Sequence, residues 1–291
     1  MRILLKGCFI ICLISSVSNA DILNNISEKI SEYTAGKIPG EGYTEVSIDL
    51  RENYSPDFSI LGVREIKPIQ IEDGKVFTQF SLFNTESANG KKGGDERIIG
   101  NLGFGARKLS SNKEFMFGIN NFYDYDYESS NFRTSLGIEA RSAVLDLRIN
   151  RYAKIRDNYN QENVLNGWDY ELASQIPYLH WAKAFITGYE WEGVTRLDVR
   201  GVKYGSELQL TPNLNLEIAY DDKTRVGVSD DWYSKIHFIY PGVEGPTALD
   251  GPGKTAWKEN RDMSGELLSK VKRSNKIMIE FKGTSTISRT D

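Results

Sequence analysis

The sequence predicts an all-β protein, an antiparallel transmembrane β-barrel of about twelve strands. Three observations lead there: an export leader at the N-terminus, no later apolar run long enough for a membrane helix, and an alternation of apolar and polar side chains that recurs along most of the chain. The 291 residues are enough to close a barrel of moderate diameter, and length alone does not separate one domain from two.

Residues 1 to 20 read as a secretory signal peptide. Arg2 and Lys6 make a basic start, Gly7 to Val17 form an apolar run too short to span a bilayer, and Ser18-Asn19-Ala20 ends it with small residues, so cleavage is expected after Ala20. Cys8 and Cys12 both lie in this leader; Cys12 follows Ile11 where a lipid-attachment cysteine needs a small neighbour. The mature chain is expected to hold no cysteine, hence no disulfide framework. The net charge of −4 becomes −6 once Arg2 and Lys6 leave, which does not indicate a nucleic-acid partner. Residues 21–42, with Ile22, Leu23, Ile26, Ile30 and Tyr33, make at best a short amphipathic helix in the periplasm.

Strands are expected near 43–50, 58–69, 75–84, 97–109, 113–126, 131–142, 144–153, 167–179, 182–192, 198–211, 214–222 and 231–240. Leu136, Ile138 and Ala140 alternate with Gly137, Glu139 and Arg141; Leu145, Leu147 and Ile149 alternate with Asp146, Arg148 and Asn150. Trp168, Tyr170 and Leu172 oppose Asp169 and Glu171, and Leu214, Leu216, Ile218 and Tyr220 oppose Asn215, Glu217 and Asp221. In the last strand Trp232, Ile236, Phe238 and Tyr240 oppose Lys235 and His237. One face suits lipid, the other water.

Such alternation also fits a soluble sandwich. Loop lengths separate the two. Ser110-Ser111-Asn112, the bend near Ala143, His180-Trp181 and Pro212-Asn213 are short, whereas 85–96, 154–166 and 223–230 are longer, which is the asymmetry of an outer-membrane barrel. Tyr123, Tyr125, Trp168, Tyr170, Tyr189, Trp191, Trp232 and Tyr240 sit at segment ends, as membrane-interface aromatics do; ordinary strand aromatics are the alternative. Phe238 and Tyr240 at the end of the last strand suit the barrel assembly machinery, which together with outer-membrane lipid is an expected partner.

The expected lumen charges are Asp49, Glu139, Asp146, Asp169, Glu171, Glu190, Glu207, Glu217 and Asp221, partly balanced by Arg51, Arg107, Arg141, Arg148, Lys203 and Lys235. Gly103 and Gly105 read as small inward positions. Asp124, Asp126 and Glu128 lack the spacing of a calcium loop and read as a solvated strand end. No hydrolase motif, zinc-ligand spacing or phosphate loop is present, and neither His180 nor His237 has a catalytic setting, so neither enzyme activity nor a cofactor is expected.

Two blocks resemble the inverse autotransporters of the intimin and invasin family: Asn121-Phe-Tyr-Asp-Tyr-Asp126 with Phe132-Arg-Thr-Ser-Leu-Gly-Ile-Glu-Ala140, and Asn166-Gly-Trp-Asp-Tyr-Glu171 with Ile176-Pro-Tyr178. Val271-Lys-Arg-Ser-Asn-Lys-Ile-Met-Ile-Glu-Phe281 is similar to the segment that follows that family's barrel. The resemblance implies a twelve-stranded barrel over 43–240, and a linker over 241–291 that enters the lumen from the periplasm, passes it partly as a helix, and leads to a surface passenger. A helix over 255–273 is expected, with Trp257, Leu267, Leu268 and Val271 as apolar contacts and Lys258, Arg261, Lys270, Lys272 and Arg273 as charges; Asn275 belongs to the tail motif. An acidic-leaning lumen would then hold a basic plug, unless 241–291 is a tail outside the barrel, as its Pro-Gly steps also allow. No passenger follows Asp291 in the sequence, so a separately encoded passenger is a candidate partner. The expected function is a translocating outer-membrane barrel; the alternative is a small porin with a periplasmic tail.

Overall fold

The computed structural model describes residues 28–33, 41–51, 56–86, 96–157, 162–224, 230–258 and 261–281. The expected leader over 1–20 lies outside them. Twelve antiparallel strands close a barrel: β1 (Gly42–Arg51), β2 (Asp57–Ile71), β3 (Gly74–Glu86), β4 (Glu96–Leu109), β5 (Phe115–Asp126), β6 (Phe132–Ser142), β7 (Leu145–Arg156), β9 (Gly167–Ile176), β10 (Leu179–Trp191), β11 (Val199–Thr211), β12 (Leu214–Lys223) and β13 (Asp231–Tyr240). Short β8 (Glu162–Val164) and β14 (Ile279–Phe281) form a separate two-stranded sheet. Each barrel strand pairs with its neighbour in sequence, and closure comes from β1 against β13, with Thr44 opposite Tyr240 and Arg51 opposite Tyr233. Closure leaves no strand edge open, which a lipid environment demands.

The alternation of side chains decides which face is which. In β5 and β6, Phe117, Ile119, Leu136 and Ile138 are exposed outward, while Asn120, Asp124, Arg133 and Glu139 are buried inward. The exposed apolar belt and the buried charged interior are a soluble core turned inside out, as expected of a wall between lipid and a polar lumen. Glycines on the inner face make room for large neighbours: a Cβ at Gly103 would lie 2.3 Å from the Phe122 ring, and one at Gly105 2.4 Å from the Phe77 ring.

Two rims follow from the connections. β2–β3, β4–β5, β6–β7, β9–β10 and β11–β12 are joined by short turns on one rim, where β1 also begins and β13 ends. Asp73, Lys113 and Tyr178 supply positive φ values of 52, 58 and 63° for three of these turns. The turn expected at His180-Trp181 is formed instead by Pro177-Tyr178, and β10 begins at Leu179, so His180 and Trp181 lie within the strand. Proline sets the φ that the first turn position needs, so the strand resumes earlier than the aromatic pair suggested. Residues 28–33 are helical, and the Ser31 hydroxyl donates to the Asn213 carbonyl, 3.1 Å away, at the β11–β12 turn.

Candidate functional site: a charged lumen and the segment that crosses it

After β13 the chain follows the short-turn rim. Val243 N–H donates to the Pro212 carbonyl (2.8 Å), Gly253 N–H to Tyr178 (2.6 Å), Tyr178 N–H to Ala256 (2.9 Å) and Met263 N–H to Lys113 (2.9 Å). From there it turns into the lumen. Met263 and Leu267 pack against Leu109 and Met116 at the entrance. Asp262, outside the wall, has its carboxyl held below the usual aspartate value by the hydroxyl and N–H of Ser264.

In place of the helix expected over 255–273, the described residues contain one 3-10 turn, Ser264–Glu266. The physical reason is visible along the wall. A helix satisfies its own backbone; here the lumen's side chains do so. Arg107 donates to the carbonyls of Leu267 (3.1 Å) and Ser269 (2.5 Å), and Gln79 accepts from Val271 N–H (2.7 Å). Asn150 donates to Lys272 O (3.2 Å), Arg133 to Ser274 O (2.8 Å) and Asn101 to Asn275 O (2.9 Å), and Tyr152 OH accepts from Ser274 N–H (2.8 Å). Arg107 and Asn101 lie on the same strand, so the segment advances almost residue for residue with β4. At about 1.5 Å rise per residue a helix could not keep that pace against the roughly 3.3 Å of a strand. Ser264, Gly265 and Ser269 are also poor helix formers.

Charge fixes the segment sideways. The side chains of Arg273 and Asp124 are both fully buried and meet through two N–H bonds of 2.9 and 2.6 Å; Arg133 holds the same carboxylate at 2.8 Å. The Arg273 guanidinium also stands 4.5 Å from the Phe122 ring centroid. Lys270 pairs with Glu45 (2.8 Å), Lys272 with Glu171 (3.3 Å) and with Glu207, and Lys276 with Asp57 (2.5 Å). One pair runs the other way: Glu266 of the segment accepts from Arg141 of the wall (3.0 Å).

Beyond Lys276 the segment becomes apolar and its residues alternate. Ile277 and Ile279 join Phe83, Ile99 and Val164, while Met278 joins Tyr152, Leu165, Tyr189, Trp191 and Val199. β14 pairs with β8, Ile279 opposite Val164, in the connection between β7 and β9. Glu162 of β8 is tied to the wall by Arg97 and, at 2.6 Å, by Asn131. The buried Glu280 carboxylate accepts from the N–H groups of Val194 and Thr195, both at 3.0 Å, and from the Thr195 hydroxyl. The C-terminal segment thus enters at the short-turn rim and reaches the long-loop rim.

A closed twelve-stranded wall with the chain's own tail inside it matches a known family: the inverse autotransporter β-domain, over residues 14–275. The chain belongs to the inverse autotransporter β-domain family. A "Putative attaching and effacing protein homolog" of Escherichia coli (strain K12) is 27% identical over 173 residues, covering 56% of this chain and 52% of that one. The "Inverse autotransporter adhesin YeeJ" of Escherichia coli (strain K12) is 24% identical over 234 residues, covering 75% of this chain and 9% of that protein. This chain therefore spans about half of one relative and about a tenth of the other. A solved structure from work on in-meso crystallization of membrane proteins shares the fold, with a TM-score of 0.63 at 20% identity over 82% of this chain and all of that one. The barrel is an outer-membrane barrel of the inverse autotransporter type.

In this inverse autotransporter barrel Asp49, Arg107, Glu139, Arg141, Asp146, Arg148, Asp169, Glu171, Glu207 and Glu217 stand on the inner face, with Asp221, Lys203 and Lys235. Glu190 does not. It faces outward and pairs with Arg200 at 2.6 Å, while Tyr189 and Trp191, expected at the membrane interface, point inward. Tyr189 donates to Asp221 (2.9 Å), and Trp191 packs 5.0 Å from Tyr152 between ring centroids. Because the strand period is two, assigning these aromatics outward by their position at a strand end moved the whole triplet to the wrong side. Tyr123, Tyr125, Trp168, Tyr170, Trp232 and Tyr240 do lie on the outer face.

Asp124 and Asp126 are a second correction. They are buried lumen residues, not a solvated end; Asp126 pairs with Arg97 at 2.9 Å, while Glu128 stays at the rim and accepts from Ile98 N–H (2.9 Å). No cation site of three or more His, Cys, Asp or Glu occurs among the described residues. Trp257 and Lys258 lie on the short-turn rim: Trp257 is partly exposed and Lys258 N–H donates to Gln175 (2.9 Å). Arg261 reaches the Glu244 carbonyl and Glu266 (3.1 Å) there. Glu45, Asp57, Gln79, Asn101, Arg133, Tyr152 and Glu280 hold the segment and were not singled out from the sequence. Counting parity from the outward Tyr123 and Tyr125 would have found Asp124.

Proposed function

We propose that the protein is a translocating anchor. Its leader is cleaved after Ala20, the barrel assembly machinery inserts the wall into outer-membrane lipid, and the lumen passes the C-terminal segment outward and then grips it. The observation that carries this reading is the continuous set of contacts from Met263 at the short-turn rim, through Arg273 on Asp124, to Glu280 at the long-loop rim. The basic residues of the segment meet wall carboxylates at matched heights, as a stationary anchor requires. A periplasmic tail, the arrangement of the porin alternative, would leave those carboxylates without these partners. In this reading the barrel carries no reaction of its own, and hydrolysis of phospholipid or peptide by the purified protein would overturn that part. The test of export is a short unrelated epitope fused after Asp291: antibody binding to intact cells supports the reading, and binding only after the outer membrane is permeabilised contradicts it. A passenger encoded as a separate chain would be captured at the same outer mouth.

A further inference from the structure

The threaded segment fills the lumen unevenly. Cavities remain beside it on both sides of its middle. One, of about 230 Å³, reaches Asp49 and Asp57 toward the long-loop rim; another, of about 150 Å³, reaches Gly245 and Arg261 at the short-turn rim. Five residues line both: Glu45, Arg148, Glu207, Lys270 and Lys272. The cavities therefore meet at a collar of ion pairs, Lys270 on Glu45 at 2.8 Å and Lys272 on Glu207 and Glu171. Two of its three cations come from the segment, whereas its carboxylates belong to the wall.

We propose that this collar is the constriction of a small-ion path running beside the anchored segment, with Lys270 and Lys272 setting its selectivity by cancelling the field of Glu45 and Glu207. Charged side chains in a narrow, low-dielectric passage determine which ion enters. With both signs present the collar is nearly neutral and favours neither. Without the lysines, Glu45 and Glu207, backed by Glu217 and Glu171, leave a cation-attracting ring. Without Glu45 and Glu207, Lys270, Lys272 and Arg148 outnumber the remaining Glu171 and Glu217 and tip the collar toward anions. The proposal rests on the threaded reading, since the segment supplies Lys270 and Lys272 to the collar.

The experiment uses the full chain with a C-terminal epitope, purified into planar bilayers under a KCl gradient. The native protein is expected to pass a small current with little preference. The Lys270→Gln/Lys272→Gln variant is expected to raise conductance and to move the reversal potential toward that of K⁺. The Glu45→Gln/Glu207→Gln variant is expected to move it toward that of Cl⁻. Heat-modifiable mobility on gels reports barrel closure, and if one pair fails to close, the other still carries the sign test. Unchanged reversal potential in folded variants whose epitope remains on the cell surface overturns the ion path alone. Loss of the epitope from the surface of cells carrying the otherwise native chain overturns the threaded reading, and the collar with it.

Discussion

Replacing Arg273 with methionine removes the charge at the centre of the anchor while keeping a side chain of similar length against Phe122. The Arg273 and Asp124 side chains are both fully buried and joined by two N–H bonds. Breaking a buried pair by removing one partner costs about 3–5 kcal/mol. Asp124 keeps Arg133 at 2.8 Å and so is not left uncompensated, which places the cost near the lower end, about 3 kcal/mol or roughly a hundredfold in the local opening equilibrium. Hydrogen exchange followed by mass spectrometry reads this directly, because Val271 and Ser274 donate their N–H groups to Gln79 and Tyr152. Peptides over 267–281 should lose about two orders of magnitude of protection while those of β3 to β7 keep theirs. Unchanged protection over 267–281 would refute the central role of the pair, and equal loss in the strands would show that Arg273 holds the wall rather than the segment.

Three further outcomes follow from the same contacts. Glu280→Gln weakens acceptance from Val194, Thr195 and the Thr195 hydroxyl, and about 1–3 kcal/mol should appear as faster exchange in the 192–198 connection; exchange that stays native there contradicts the latch. Leu136→Lys puts a charge on the exposed apolar belt and should cost about 2–4 kcal/mol if Leu136 lies near the bilayer midplane, read by urea titration of the barrel in vesicles; an unchanged midpoint would place this face out of lipid. Gly103→Val sets a Cβ 2.3 Å from the Phe122 ring and should lower stability by about 1–3 kcal/mol in the same titration, since Phe122 also carries Arg273. A native midpoint for this variant would mean that the ring moves aside freely.

The wall was legible because period-two alternation and turn chemistry are local properties of sequence. β5 to β7 lie within a few residues of their expected bounds, and Leu136, Ile138 and Leu147 face outward as their alternation requires. The site was less legible for two reasons. First, the aromatics at the end of β10 were assigned by kind rather than by parity, which turned Glu190 inward and Tyr189 and Trp191 outward. Second, a helix over 255–273 is a reasonable choice for a chain that must satisfy its own backbone, but 267–276 borrows partners from Gln79, Asn101, Arg107 and Arg133. Such borrowing depends on residues more than a hundred positions away, and nothing local to the segment encodes it. Glu280 was missed for the same reason: its partners belong to a loop that meets it only after folding.

The direction of threading is tested most directly by single cysteines in the chain beyond residue 20, which has none of its own. Ala256→Cys marks the short-turn rim and Phe281→Cys the long-loop rim. On intact cells a membrane-impermeant maleimide should label the Phe281→Cys protein and leave the Ala256→Cys protein unlabelled until the outer membrane is permeabilised. Labelling of position 256 from outside, or protection of position 281 that ends only on permeabilisation, would contradict an outward-threaded segment.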